Sequence, residues 1–404
     1  MASATTAPAW LTARRERAVS ALGAIELPTF RGTPGWEFTP IEKLDLDAYP
    51  AAPGGEATSL FDFEGAVGVS DEENTAEAPI VMPLALAAER YPDLVGAHLG
   101  SVVRKQTPFT VRNDAHWTDG SFVYVPRGVE LDAPIVLSTL HEQAGTTLHW
   151  RALVVLEEGA SAEVWHESRS AEADLDGVLN GVVELVVGQN ARLRFVDAQD
   201  VSEKSWIFGA QRATVARDAS LDWITLGFGS ANGKVFQETQ LAGPGAHGTV
   251  TGAYASRGRQ HLDFDTLQEH AAPDTTSDLA FRGILADRSS AVWRGMIKVD
   301  PGAQRTDAFQ ESRNLLLSKR AHADAIPGLE ILANDVRCTH AAAIAQIDRE
   351  QLFYLRAHGL PEPAANRLVI EGFLQALVER FEEGPVRERV AGAVGRRLET
   401  VLGS

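Results

Sequence analysis

The only cysteine of the chain, Cys338, lies two residues before His340 in LEILANDVRCTHAAAIAQID, a stretch with the composition of a β-strand. Side chains alternate between the faces of a strand, so these two residues share one face and Arg337 and Thr339 the other. A thiolate beside an imidazole suits a soft metal or a sulfur nucleophile activated by histidine. Four ligands are usual at such metal sites and the sequence has no CxxC pair, so distant residues or a second chain would have to complete it. The other interpretation is a buried cysteine that acts as a small apolar side chain.

Two carboxylates form a second candidate site in the segment HLDFDTLQEH. Asp263 and Asp265 lie on one strand face, with His261 beside them, and paired carboxylates can do the acid and base chemistry of a carbohydrate-acting β-helix enzyme. A solvated strand face commonly carries such residues as well. The segment GFGSANGKV is not a phosphate loop, because Phe228 stands where GxxxxGK needs glycine and no Ser or Thr follows Lys234.

Charge and composition limit the possible partners. Of the 404 residues 44% are hydrophobic, which is typical of a globular protein. The formal charge of -18 repels the phosphates of nucleic acid. No apolar run approaches the roughly 20 residues that span a bilayer, and the first residues lack the apolar block of a secretory signal. We therefore expect a cytoplasmic protein with no membrane partner. A single cysteine forms no internal disulfide, which agrees with a reducing compartment.

Recurring turns divide the central region into short β-rich runs such as IVLSTL, VVELVVG and LDWITLG. Each turn places Gly, Asn or Asp before an alanine, and the alanines are 31, 28, 27 and 57 residues apart, near multiples of about 14. They are Ala160, Ala191, Ala219, Ala246 and Ala303. This spacing favours a solenoid, in which each coil buries its inward side chains against its neighbours. A two-sheet sandwich is the alternative.

The sequence therefore predicts a mainly β protein in three regions. Residues 1–106 form a helical and irregular N-terminal region, residues 107–347 a β-helix core, and residues 348–404 a C-terminal helical domain that Asp348 begins as an N-cap. Apolar side chains on the C-terminal helices pack on the solenoid or dock a partner. The candidates for partner binding are Phe353, Tyr354, Leu368, Ile370, Phe373 and Leu374.

Larger segments resemble a known family. HLDFDTLQEHAAPDTTSDLAFRGIL, WRGMIKVDPGAQRTDAFQESRNLLLSKRAHADAIPGLEILANDVRCTHAAA and the upstream GWEFTPIEKL and DGSFVYVPRGVELDAPI are similar to the SufB/SufD family of iron-sulfur cluster assembly scaffolds. The Cys-x-His segment resembles the SufD branch, which has D-D-V-K-C-S-H-G-A-T there, more than the E-H-E-A-T type of SufB. Five residues depart from that pattern, namely Asn334, Arg337, Thr339, Ala341 and Ala343.

This resemblance implies a right-handed parallel β-helix with helical ends that performs no turnover itself. It implies pairing with SufB through the β-helix, docking of the SufC ATPase on the C-terminal helices, and a possible homodimer when the chain is isolated. Cys338 and His340 match the family's cysteine and histidine at the SufB interface, where an iron-sulfur cluster is held transiently and the partner supplies missing ligands. The isolated chain is expected to bind no cofactor.

Overall fold

The computed structural model describes residues 7–29, 31–55, 61, 63, 65–72, 74, 75 and 77–403. The helices are α1 Ala9–Leu22, α2 Leu84–Arg90, α3 Pro92–His98, α4 Pro108–His116, α5 Arg349–Ala357, α6 Glu362–Val378 and α7 Pro385–Leu402, with a 3-10 turn at Leu46–Ala48. The strands are β1 Ala51–Ala52, β2 Ile80–Pro83, β3 Asp119–Val125, β4 Ile135–His141, β5 Thr147–Leu156, β6 Ser161–Ser170, β7 Val178–Val187, β8 Arg192–Asp200, β9 Trp206–Val215, β10 Ser220–Gly227, β11 Asn232–Leu241, β12 His247–Ser256, β13 His261–His270, β14 Thr276–Leu285, β15 Ser290–Val299, β16 Thr306–Leu316, β17 His322–Ile331 and β18 Val336–Gln346. None of the described helices is long and apolar enough to cross a bilayer.

Successive strands from β3 to β18 alternate between two sheets, and each pairs in parallel with the strand two places along the chain. The odd-numbered strands form one sheet with β2 at its edge, and the even-numbered strands from β4 to β18 form the other. Arg192 pairs with Ser220 and Ser220 with His247, so two successive coils take 28 and 27 residues. The predicted parallel β-solenoid is confirmed, and each coil contains two of the predicted repeats of about 14. The handedness of the coil stays a prediction.

The repeated alanines mark one corner of the coils. Four of them are fully buried, and the carbonyl of each accepts a backbone hydrogen bond from the first residue of the equivalent strand in the next coil. These four are Ala160, Ala191, Ala219 and Ala246. Thr275 takes this position in the following coil, where its carbonyl accepts from the Asp307 N–H at 3.0 Å. Ala303 lies in a different turn position, so the fifth alanine of the predicted repeat does not belong to the column.

The N-terminal region packs on the outer face of the odd-numbered sheet. Trp36 and Phe109 stack there at 5.3 Å between ring centroids, and Phe109 stacks on Phe208 of β9 at 3.9 Å. Thr107 caps α4 with its side chain and so fixes the start of this helix. The region also contains β1 and β2, which the sequence did not predict, and β2 runs antiparallel to β3.

The C-terminal helices pack on the outer face of the even-numbered sheet. Asp348 caps α5 as predicted, accepting a hydrogen bond from the Glu350 N–H at 2.9 Å. The buried Arg397 of α7 forms an ion pair with Glu203 at 3.1 Å and donates to the Ala255 carbonyl of β12. The three predicted helices are present, while the domain boundaries themselves stay predictions. A terminal region therefore packs on the outer face of each sheet, and β17 and β18 are the last strands of the two sheets among the described residues.

Candidate functional site

The last coil of the solenoid ends in two edge strands, β17 and β18, and within the described part of the chain each pairs with a strand on one side only. Solenoids expose an unsatisfied edge and the apolar interior of the coil wherever a chain stops without a cap. Four large apolar side chains near this edge are exposed, between 38% and 52% of their full surface. They are Leu329, Ile331, Leu332 and Ile344. We call these four residues with β17 and β18 the open edge.

Cys338 lies on β18 and contributes to the apolar interior of the last coil. It pairs in register with the buried Ala308 of β16 and packs with a cluster that includes Ile297 and Val299. Burial raises the pKa of the Cys338 thiol, and the negative charge of Asp307 adds a smaller rise. The thiolate is the form that binds metals and attacks electrophiles, so this environment disfavours both reactions at neutral pH.

His340 is exposed on the same strand and two residues further along. It pairs in register with Gln310, whose buried amide donates to the carbonyls of Gly295 and Gly328 inside the coil. Arg337 lies on the opposite face, where its Nε donates to Asp307 at 3.0 Å. The alternation predicted for Cys338, His340 and Arg337 agrees with this strand geometry. The imidazole therefore lies exposed at the open edge.

The described residues contain no group of three or more His, Cys, Asp or Glu side chains that could hold a metal ion. Cys338 and His340 are therefore two candidate ligands, and the described part of the chain supplies no third ligand beside them. A cluster held there would need ligands from another molecule.

The structure corrects the interpretation of Asp263 and Asp265 as a carboxylate pair open to a glycan. Asp263 is 3% exposed, forms an ion pair with the buried Lys234 at 2.7 Å, and accepts a hydrogen bond from Thr39. Lys234 also lies 3.5 Å from Asp265. Burial raises the pKa of both carboxyls, and the charge of Lys234 opposes this rise. Asp263 is therefore enclosed, and Lys234 holds the two carboxylates inside the protein, so they do not form an open pair for a glycan.

These charges instead attach the N-terminal segment to the solenoid. Glu37 pairs with Arg294 of β15 at 2.7 Å, and this contact lowers the pKa of Glu37 to about 2. The Asn232 side-chain amide donates to the Pro40 carbonyl at 2.7 Å. The motif GWEFTPIEKL and the motif HLDFD, separated by more than two hundred residues, are therefore two sides of one contact. We call Glu37, Thr39, Lys234, Asp263 and Arg294 the anchor cluster.

The C-terminal surface predicted for partner binding is divided in two. Phe353, Tyr354 and Leu368 are exposed at 75%, 62% and 49%. Ile370 and Leu374 are buried against the even-numbered sheet, and the Arg282 guanidinium lies over the ring of the partly buried Phe373 at 5.2 Å. Ile370 and Leu374 therefore pack within the chain, which corrects their assignment to a partner surface. The partner-binding role of the three exposed residues stays a prediction.

Sequence reasoning missed the apolar residues of the open edge and the cation of the anchor cluster. The run LEIL at residues 329–332 places apolar side chains on both faces of a strand, which is unusual next to solvent and could have indicated an interface. Lys234 gave no such signal, because its two carboxylate partners lie on a different coil.

The geometry defines a parallel β-solenoid protein whose last coil ends in an exposed, partly apolar edge with a histidine on it. The family described as SUF system FeS cluster assembly, SufBD core domain, matches residues 139–373, and the SufBD protein N-terminal region matches residues 66–137. The chain belongs to the SufBD family of iron-sulfur cluster assembly proteins.

Relatives support the same assignment. The chain is 28% identical to the iron-sulfur cluster assembly protein SufD of Bacillus subtilis (strain 168), over 97% of this chain and 95% of that protein. It is 31% identical to an iron-sulfur cluster assembly SufBD family protein of Mycobacterium tuberculosis (strain ATCC 25618 / H37Rv), over 70% of this chain and 72% of that protein. A relative from Mycobacterium leprae (strain TN) is 28% identical over 88% and 92% of the two chains. The resemblance to the family is thereby confirmed.

Proposed function

We propose that this chain is a SufD-like scaffold subunit of a cytoplasmic complex with SufB and the SufC ATPase. The observation that carries the proposal is the open edge, which has both exposed apolar side chains and an exposed His340. Pairing with the end of a second solenoid would bury these side chains and continue both sheets by strand addition. Each buried CH₂ group contributes about 0.8 kcal/mol, so the edge favours association.

The iron-sulfur cluster is the cargo of this complex. His340 acts as a ligand or a base at the interface, and the partner chain supplies the remaining ligands. Cys338 contributes packing or a supporting ligand, and burial raises the pKa of its thiol. The scaffold itself turns over no substrate in this proposal, and ATP hydrolysis belongs to SufC.

The second contact of the scaffold is with SufC, through the C-terminal helices. Phe353, Tyr354 and Leu368 are exposed on α5 and α6, and aromatic side chains are favourable at interface centres. Dimerisation of SufC on ATP binding would then pull the paired scaffolds and change the exposure of the interface that holds His340.

A charge placed at the open edge tests the pairing. Leu332→Asp puts a carboxylate where the proposal buries an apolar group, so we expect co-purification with the SufB of the same organism to fall at least tenfold. Val19→Asp on α1 is the matched control, because both wild-type side chains are 52% exposed. Equal recovery of SufB with both variants contradicts the proposed interface.

A further inference from the structure

A cavity of about 280 Å³ lies between the outer face of the odd-numbered sheet and the segment 101–110, away from the open edge. Its walls include four aromatic side chains, and its volume is near the lower end of the range of small-molecule sites. The four are Trp36, Phe109, Phe208 and Phe236. Neither the scaffold role nor the partner contacts described above use this cavity.

The aromatic wall is held in place before any ligand arrives. Trp36, Phe109 and Phe208 are buried, and Phe109 stacks on both of the others. The anchor cluster fixes the segment that carries Trp36. Phe236 is only partly buried, at 5.9 Å from Trp36 between ring centroids. A rigid wall with one partly exposed ring favours a planar ligand, because few side chains have to become ordered when the ligand binds.

Most charged side chains that line the cavity are cations, although the chain as a whole is acidic. Among the described residues, four cations and one carboxylate, Glu238, line it. Arg212 and Lys234 pair with carboxylates of the sheet. Lys105 and Lys234 lie over the Phe236 ring at 5.5 and 5.0 Å. The Arg104 Nε donates to a backbone carbonyl. Within the described residues, neither of the rim cations Lys105 and Arg104 has an ion pair with a carboxylate, so the mouth of the cavity attracts an anion.

We propose that this cavity binds a small planar aromatic anion, with its ring in contact with the exposed part of Phe236 and its anionic group near Lys105 and Arg104. Ring stacking and a cation beside the ring supply the recognition. The volume fits one or two fused rings with a single anionic group. An aromatic carboxylate and a mononucleotide share this chemistry, and competition separates them.

The test measures the fluorescence of 1-naphthyl phosphate titrated with the purified chain. We expect saturable binding that neutral 1-naphthol does not reproduce and that inorganic phosphate does not displace. Arg104→Gln/Lys105→Gln should weaken it about tenfold, since two exposed charges are lost. Lys204→Gln/Arg288→Gln, which removes two exposed charges away from the cavity, should leave it unchanged. Both pairs are at the surface, so neither is expected to disturb folding.

Competition then identifies the ligand class. Displacement by adenosine monophosphate indicates a nucleotide, and displacement by 2-naphthoate alone indicates an aromatic carboxylate. Phe236→Leu provides an independent variant and should weaken binding about fivefold through lost stacking. No saturable binding, equal binding of 1-naphthol, or equal affinity of the rim variant and its control would overturn the proposal.

Discussion

Removing the cation of the anchor cluster should destabilise the protein strongly. Lys234 and Asp263 are both 1% exposed in their side chains and lie 2.7 Å apart, so Lys234→Met leaves a carboxylate buried without its main partner. Breaking a buried ion pair at one side costs about 3 to 5 kcal/mol. Thr39 still donates to the carboxylate, and Arg294 still attracts it, so we expect the free energy of unfolding to fall by about 3 kcal/mol at pH 7.

The pH dependence of this loss has a definite sign. Burial already raises the pKa of Asp263 above its ordinary value, and removing Lys234 raises it further. The folded variant then takes up its proton at a higher pH than the unfolded chain does. Its stability relative to wild type therefore improves as the pH falls below the folded pKa of Asp263, because a neutral acid needs no cation.

Urea unfolding followed by tryptophan fluorescence at pH 7 and pH 5 measures both effects. Lys298→Met is the matched control, because Lys298 also contacts two carboxylates, at 2.8 and 2.9 Å, but is 30% exposed. It should cost less than about 1 kcal/mol. The double variant Lys234→Met/Asp263→Leu should recover most of the loss. A Lys234→Met effect no larger than the control, or one that grows toward pH 5, refutes the reasoning.

Three further predictions concern the helices, the buried histidines and the cysteine. Ile370→Asp should lower the urea midpoint, because Ile370 is buried. Leu368→Asp should leave the midpoint unchanged and reduce SufC recovery, because Leu368 is exposed. Equal midpoints of the two variants would contradict this packing. Burial lowers the pKa of His270 to about 4, so wild type should lose stability as the pH falls from about 6.5 to about 4. The same urea series should show a smaller loss of unfolding free energy for His270→Gln over this pH range. A pH dependence of stability equal to that of wild type would contradict the lowered pKa of His270. Cys338→Ala should keep cluster assembly within about twofold of wild type by visible absorbance, since the thiol is packed and protonated; loss of the cluster would make Cys338 a ligand.

The solenoid could be predicted from the sequence because its constraint is local and repeated. Each coil needs a small residue at the same corner, so the alanines from Ala160 to Ala246 recur at the coil period. Where Thr275 takes this corner, the signal disappears although the coil continues. The faces of Cys338 and His340 were predictable for the same reason, since alternation depends only on neighbouring residues.

Other features depend on contacts that no local pattern encodes. Asp263 is enclosed by Thr39, which is more than two hundred residues away, so its burial does not follow from HLDFD alone. In α6 apolar residues lie on more than one side, and periodicity does not identify which side meets the sheet. Only the packing of α6 on the even-numbered sheet separates the buried Ile370 from the exposed Leu368.

The most direct test of the scaffold proposal is anaerobic co-expression of this chain with SufB and SufC of the same organism. His340→Ala is compared with His247→Ala, which removes an exposed histidine from the middle of the even-numbered sheet. The readouts are complex yield and the visible absorbance of the reconstituted cluster. We expect equal yields for both variants, with the cluster lost only in His340→Ala. A cluster of equal absorbance in both variants would contradict a role for His340 in assembly.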